Sequence, residues 1–290
     1  MAKEFTLNTG YKIPMIGLGT YLITETDFTN KVIDEALTAG YRLFDTAHMY
    51  NNEKFLGVAF KSLLKKHKLK RQDIFITTKF VPSTNYKTEE DYHKLVKESL
   101  ENLQVDYLDL MLLHWPGVYG LPNKSKEVIK YRHNAWKALS KFKEQGLIRS
   151  IGVSNFLIRH LEELKTECNV IPVLNQVEYH PHYFDLELLD YCKKKGILMQ
   201  AYSSLGTSGD RSLRNHKTVR NIAKELNKSS SQILLRWATL RDVAIIPKAS
   251  FKDHLIENIS LNFEIPKDKM ESLDRLCINE RFDWDPNDII

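Results

Sequence analysis

Three apolar runs in this chain each end on a residue that can carry or move a proton. Tyr41-Arg42-Leu43-Phe44-Asp45 ends on a carboxylate, with Tyr50 one short loop later. Asp73-Ile74-Phe75-Ile76-Thr77-Thr78-Lys79-Phe80 reads as a buried strand closing on an ammonium, and the run from Leu108 closes on the imidazole of His114. Parallel strands are covered on both faces, so a lysine at a strand's carboxyl end must find a partner or shift its pKa. A tyrosine, with a reference pKa of about 10, is a poor acid near neutral pH, and a nearby ammonium favours the phenolate and lowers that value. The expected arrangement has Lys79 beside Tyr50, with Asp45 holding Lys79 protonated. A neutral His114 then donates an N–H to a carbonyl oxygen while Tyr50 protonates the developing alkoxide. Such a set suits addition of hydride to a carbonyl. It contains no activated nucleophile and no metal site, so the hydride must come from a cofactor. Singly, a strand-end Asp more often caps a turn and a lone His more often satisfies a backbone group. The trio on successive strands favours chemistry.

The elements that must position these residues alternate from end to end. Phe5–Leu7 and Lys12–Ile13 flank a turn at Asn8-Thr9-Gly10 and read as a hairpin. Strands then follow over Met15–Gly19, up to Asp45, Lys79 and His114, and over Ile148–Val153, Val173–Val177, Ile197–Tyr202 and Val243–Pro247. Helical patterns lie between them over Asp27–Ala39, Asn52–Lys66, Glu89–Asn102, Arg132–Gln145, Ile158–Thr166, Leu186–Lys195, Val219–Leu226 and Gln232–Leu240, with Asp253–Ile259 last. Eight β/α units over about 250 residues, without a linker, predict one α/β domain spanning 1–290, a (β/α)8 TIM barrel with an N-terminal β-hairpin. A doubly wound open sheet is disfavoured because no GxGxxG opens a helix: after Gly17-Leu18-Gly19, Leu22 stands where the third glycine belongs. In a barrel, catalytic residues gather at carboxyl strand ends, where Asp45, Lys79, His114, Asn155, Gln176, Tyr202 and Lys248 all fall.

Composition narrows the function classes. The 290 residues are 42% hydrophobic, enough for a large core, yet contain no run of about 18 apolar residues, so no membrane span is expected. The start, Met1-Ala2-Lys3-Glu4-Phe5, lacks the order of a signal peptide. Three widely separated cysteines, Cys168, Cys192 and Cys277, fit a reducing compartment and neither a disulfide frame nor a zinc site. A cytoplasmic location is expected, and nothing in the chain demands more than a monomer. The net charge of +5 is mild, and the basic run Lys61–Arg71 reads as a solvated helix end rather than a nucleic-acid patch, since no aromatics interleave it.

The later strands offer a cradle for the cofactor. Ser154, Asn155 and Gln176 carry groups suited to a carboxamide, and Tyr202 offers a face for a flat ring. Ser203-Ser204-Leu205-Gly206 is a small-residue loop that could approach a pyrophosphate, and Lys248 and Ser250 lie beyond the eighth strand, where barrels often bind phosphate.

The sequence resembles the aldo-keto reductase family. The likeness is carried by Gly40-Tyr41-Arg42-Leu43-Phe44-Asp45-Thr46-Ala47 with Tyr50, Asn52-Glu53 and Gly57, and by Leu103 to Pro116 including His114-Trp115-Pro116. Further matches are Gly152-Val153-Ser154-Asn155-Phe156, Asn175-Gln176-Val177-Glu178-Tyr179-His180-Pro181 and Ile246-Pro247-Lys248 with Glu257-Asn258, so the likeness spans essentially the whole chain. It implies an NADPH-dependent reductase of aldehydes and ketones, of the aldehyde reductase type, whose tetrad falls on Asp45, Tyr50, Lys79 and His114. By the same matching Ser154, Asn155 and Gln176 hold the carboxamide, Tyr202 stacks on the nicotinamide, and Ser203, Leu205 and Gly206 line the pyrophosphate channel. Thr20, Tyr21 and Asp45 stand on the cofactor side of the cleft, and Lys248, Ser250, His254, Glu257 and Asn258 surround the adenosine end. The substrate mouth falls on Tyr21, Tyr50, Val81, His114 and Trp115.

Two departures bear on specificity. Relatives often follow the lysine with Ser and later place an Arg against the 2′-phosphate; here Ala249 and His254 stand there. A neutral imidazole is a weaker phosphate partner than a guanidinium, so the expected preference for NADPH rests on Lys248 and Ser250. Relatives also often carry Trp where Tyr21 and Val81 stand, which implies a roomier, less aromatic pocket. Two other functions compete. A non-catalytic dinucleotide-binding barrel would not need the intact tetrad, and a hydrolase using Asp45 and Glu53 leaves Lys79, Tyr50 and His114 without roles.

Overall fold

The structure, a computed structural model, describes residues 3–206 and 212–290; Met1 and Ala2, part of the start read for a targeting signal, lie outside the described residues. A hairpin of β1 (Glu4–Thr6) and β2 (Lys12–Pro14) comes first. Then follow β3 (Leu18–Gly19), α1 (Thr26–Ala39), β4 (Leu43–Asp45), α2 (Glu53–Lys66), β5 (Phe75–Phe80), α3 (Glu89–Leu103), β6 (Leu108–Leu113), α4 (Glu127–Glu144), β7 (Ile148–Ser154) and α5 (Ile158–Cys168). The second half continues with β8 (Leu174–Glu178), α6 (Leu186–Lys195), β9 (Leu198–Tyr202), α7 (Lys217–Glu225), α8 (Ser230–Thr239), β10 (Ala244–Ile245), α9 (Lys252–Ile259) and α10 (Lys267–Asp274).

Strands β3 to β10 pair in chain order, all parallel. The sheet closes on itself: Gly17 N donates to Ile245 O and Ile245 N to Met15 O, both at 2.8 Å. This is the expected (β/α)8 barrel. β3 and β10 are shorter than their apolar runs. Pro247 has no N–H, so the ladder continues past Ile245 only as the isolated bridge Gly19–Lys248.

Alternation along each strand decides which side chains enter the barrel. Leu43, Phe75, Leu110, Leu112, Leu174, Leu198 and Ala244 form an inner cluster, whereas Phe44, Ile76, Met111, Leu113, Val153, Val177 and Ala201 face the helices in the larger outer core. Two residues on from Leu43 is Asp45, two from Leu112 is His114, two from Leu174 is Gln176, and four from Phe75 and Leu198 are Lys79 and Tyr202. The candidate site residues therefore continue the inward rows at their carboxyl ends. At the other end the hairpin plugs the barrel: Leu7, Ile13 and Met15 join the inner cluster, and Thr9 Oγ1 lies 2.8 Å from Ser150 Oγ.

Two helical readings needed correction. α4 starts at Glu127, not near Arg132, because Val128, Arg132 and Ala135 share one buried face. Arg132 is 0% exposed, so an inward-facing position reads as polar in the sequence. Its charge is answered by Glu163, bonded from Nε at 2.9 Å and Nη2 at 2.6 Å, and by the carbonyls of Pro116 and Ile290. α10 was not expected, since only Leu273 is buried along it. It is held by Asp274 Oδ1, which accepts from Trp237 Nε1 at 2.8 Å and from Arg241 at 2.5 Å. A capping box opens α8, with Ser229 and Gln232 bonding each other's backbone N–H.

Candidate active site

Lys79 is 0% exposed and Asp45 2%, and Nζ donates to Asp45 Oδ1 at 2.5 Å and to Thr46 O at 2.7 Å. The second carboxylate oxygen accepts from Gln176 Nε2 at 2.8 Å, and the same nitrogen donates to Gln200 Oε1 at 2.8 Å. β4 and β8 thus meet across the barrel through one carboxylate. Burial pushes Asp45 upward and Lys79 downward, and the attraction between them opposes both shifts. Removing one member of such a buried pair costs about 3–5 kcal/mol.

Behind this pair, Asn52 holds the adjoining backbone. Its Nδ2 donates to Thr20 O at 2.8 Å and Thr20 Oγ1 at 3.1 Å, and its Oδ1 accepts from Thr46 Oγ1 at 2.5 Å. Thr20 Oγ1 in turn donates to Asp45 O at 2.9 Å. Glu53 accepts from Thr78 Oγ1 at 2.6 Å and Ser99 Oγ at 3.2 Å on the outer side of β5, away from the inward row that carries Lys79. That placement gives no support to a carboxylate pair of Asp45 and Glu53.

Above the pair stands Tyr50, delivered by a 3-10 turn over His48–Tyr50. Its ring centroid lies 5.1 Å from Lys79 Nζ, 5.8 Å from the His114 ring and 5.0 Å from the Tyr21 ring. Burial, then the charge of Asp45, pushes the Tyr50 phenol upward. The expected lowering by Lys79 therefore does not describe the resting site. With Asp45 at 2.5 Å from Nζ, the phenol faces an ion pair rather than a free ammonium, so burial dominates and the phenol keeps its proton. His114 is neutral, as expected: burial first, then Lys79, holds its imidazole well below the ordinary histidine range, and its Nδ1 is buried without a partner among the described residues.

The mouth is shaped by Tyr21, which is 56% exposed, by buried Val81 just past β5, and by Trp115. Trp284, from the segment after α10, lies 5.4 Å from both His114 and Trp115. It restores aromatic surface to a pocket expected to be less aromatic.

The residues expected to hold the carboxamide lie together. Ser154 Oγ donates to Gln176 O at 2.8 Å, Asn155 Nδ2 to His114 O at 3.1 Å, and Tyr202 OH to Asn155 Oδ1 at 2.7 Å. Asn155 (φ 64) and Ser203 (φ 49) both adopt the left-handed conformation, uncommon for residues other than glycine and frequent at ligand sites. Gln176 spends its amide nitrogen on Asp45 and Gln200, leaving its carbonyl oxygen for a carboxamide N–H. That acceptor, beside the face of Tyr202, suits the amide N–H of a nicotinamide. Ser203, Leu205 and Gly206 follow β9 in the loop.

The residues expected at the adenosine end lie apart from Asp45 and Lys79. Gly19 is bridged to Asp45 on one side and to Lys248 on the other, so those two are about 10 Å apart, two strand spacings. Lys248 and His254 are exposed, Ser250 is half-buried, Asn258 is buried on α9, and Phe251, 67% exposed, packs edge-on against His254. Glu257 accepts through its backbone oxygen from Gln232 Nε2 at 3.4 Å.

Three contributors were not picked out in the sequence. Gln200, two residues before Tyr202 on the same inward row, is a polar residue in an apolar strand, a signal that could have revealed it. Glu178 accepts from the backbone N–H groups of Phe282 at 2.6 Å and Asp283 at 3.2 Å, and Asp283 Oδ2 accepts from Ser203 Oγ at 2.6 Å. Those two depend on the return path of the final segment, which has no local signature.

The buried neutral histidines make stability depend on pH. His160, beside the final segment with Nε2 3.1 Å from Ile289 O, is pushed down to about 4 mainly by burial, and His114 is also depressed. Their unfolded values are about 6.5, so below that the unfolded chain binds more protons and stability falls with pH until the folded values are reached. Urea melts should show a loss of roughly 2 kcal/mol from His160 between pH 7 and pH 5, with a further loss in the same direction from His114, a trend a flat profile would contradict.

The chain belongs to the aldo/keto reductase family, whose pattern matches residues 15–278. It is 36% identical to the glyoxal reductase of Bacillus subtilis over 288 residues, covering 98% of this chain and 96% of that protein. It is 33% identical over 310 residues to the NAD(P)H-dependent D-xylose reductase I,II of Candida tropicalis, covering 96% and 95%. Among solved structures, the aldo/keto reductase from Brucella melitensis is similar at a TM-score of 0.83 and 35% identity, covering 95% of this chain and 100% of that one. The aldose reductase from Schistosoma japonicum has a TM-score of 0.86 and 31% identity, covering 97% and 94%. The family and these relatives make the chain an oxidoreductase of small carbonyl compounds that uses a nicotinamide cofactor. Among the described residues no helix is long and apolar enough to cross a membrane, and no group of histidine, cysteine and carboxylate side chains could hold a metal ion.

Proposed function

We propose that the protein reduces aldehydes and ketones to alcohols with NADPH, with Tyr50 as general acid and Lys79, Asp45 and His114 in support. The observation that carries this reading is the buried Lys79–Asp45 pair, 2.5 Å across, directly beneath Tyr50. Ser154, Asn155 and Gln176 would hold the carboxamide, and Tyr202 would lie against the ring. When bound, the cofactor supplies hydride. The neutral His114 donates an N–H to the substrate oxygen and orients the carbonyl. Tyr50, kept protonated by burial, releases its proton to that oxygen as negative charge develops there. Lys79 stabilises the resulting phenolate, and Asp45, fixed by Gln176, keeps Lys79 charged.

The test is aldehyde-dependent loss of NADPH absorbance. Tyr50→Phe should lower kcat by about 10²–10⁴-fold, the usual contribution of a positioned general acid, while still binding NADPH. A variant with normal turnover would remove Tyr50 from this role. A binding-only protein would show no turnover even in the wild type.

Preference for NADPH is expected to be modest, because Lys248 and Ser250 remain while His254 stands in place of a guanidinium. Steady-state kinetics should give a kcat/KM for NADPH a few-fold to about tenfold above that for NADH, one tenfold step being about 1.4 kcal/mol. An equal or higher value with NADH would remove the preference.

A further inference from the structure

The segment after α10 returns across the carboxyl end of the barrel and is fixed there by several independent contacts. Both oxygens of Glu178 are used, one by Phe282 N and His180 Nε2 and the other by Asp283 N. The Phe282 ring stacks on His180 at 4.9 Å, and Trp284 packs on His114 and Trp115. Asp283 is thereby held between two functional features, with Trp284 on the substrate side and Ser203 Oγ donating to its Oδ2 at 2.6 Å on the loop side. Its negative charge reaches both Tyr50 and Tyr202.

Other charges at this mouth are answered locally. Lys79 and Asp45 neutralise each other, and His114 is neutral. Glu178 is met by two backbone N–H groups and an imidazole. The Arg281 guanidinium lies over the Tyr183 ring at 4.2 Å and 3.6 Å from Asp285. Asp283 is exposed, and among the described residues no cation pairs with it. Among the described residues, the mouth therefore carries one unanswered negative charge, that of Asp283.

We propose that Asp283 is a specificity-determining residue that makes the site select neutral carbonyl substrates over those bearing a carboxylate or phosphate near the carbonyl. The inference rests on the carbonyl-reductase reading above and adds a substrate class to it. A carboxylate entering past Trp284 meets Asp283 in partly solvated surroundings, where like charges repel moderately and salt screens them.

The experiment compares 4-formylbenzoate with its methyl ester, two aldehydes of similar shape that differ in charge, at saturating NADPH. The wild type should favour the ester in kcat/KM by about tenfold, and that ratio should shrink as ionic strength rises. Asp283→Asn should raise the anion-to-ester ratio of kcat/KM by about tenfold, and Asp283→Lys should reverse the preference. If either variant changes both substrates equally, or if the wild-type ratio ignores salt, Asp283 does not set charge selectivity. If the wild type reduces neither aldehyde, the carbonyl-reductase reading fails and this proposal falls with it. If the ester is reduced and only the ratio is wrong, that reading stands and the proposal alone is overturned.

Discussion

Lys79→Met should lower kcat for carbonyl reduction by on the order of 10³-fold while leaving the affinity for NADPH within a few-fold. The pair it breaks is the most buried charged contact in the site, and the resting phenol above it is already pushed upward by burial and Asp45. In the proposed mechanism the ammonium acts when Tyr50 gives up its proton, because a phenolate in this enclosed place needs a nearby positive charge. Methionine matches the lysine stem in length, so the barrel wall stays filled. Asp45, left without its ammonium and still buried, takes up a proton. The variant should therefore bind cofactor and reduce almost nothing. Two measurements check this: single-turnover reduction of an aldehyde, and fluorescence titration with NADPH. Near-normal kcat would show that the Tyr50–Lys79–Asp45 coupling is not how the site works. Adding Asp45→Asn to Lys79→Met should recover stability without recovering turnover, which separates the electrostatic role from the cost of an unpaired buried acid.

Gly57→Ala should destabilise the fold by about 3 kcal/mol or more, lowering Tm by roughly 6–12 °C, without altering the residues of the site. Gly57 lies in α2 where it packs on α3. An added Cβ would overlap Asn102 O and sit 2.9 Å from Leu103 Cα. Both neighbours are backbone, so no rotamer change can relieve the overlap and the two helices must move apart. Because α2 begins immediately after Asn52, which fixes Thr20 and Thr46, the displacement should reach the active-site backbone and reduce kcat as well. A Gly57→Ala variant as stable as the parent would mean that α2 can slide at little cost, contrary to its packing. Thermal denaturation followed by circular dichroism reads the difference.

Much of the site could be read from the chain because strand periodicity is local. Leu43 and Asp45, Phe75 and Lys79, Leu112 and His114, Leu174 and Gln176 each share an inward row, and that parity holds however the strands are arranged. The count of β/α units likewise follows from alternation and required closure of eight strands. The start of α4 was misplaced because a fully buried Arg132 looks solvent-facing until Glu163, thirty-one positions away, is known to meet it. α10 escaped notice because its attachment is polar, through Asp274, and a helix that buries one leucine has little apolar stripe to detect.

Residue type and inward phase at each strand end therefore belong to the amino-acid order, and so does the presence of an acid, an ammonium, a phenol and an imidazole for the proposed reaction. Closure of the barrel decided the rest. Asp45 and Gln176 are 131 residues apart, and only a sheet joined edge to edge brings them within 2.8 Å. The same closure enclosed Tyr50 enough for burial to outweigh the neighbouring ammonium. The returning final segment set Asp283 and Trp284 over the mouth. Desolvation and long-range contact are properties of the packed whole, which no window along the chain contains.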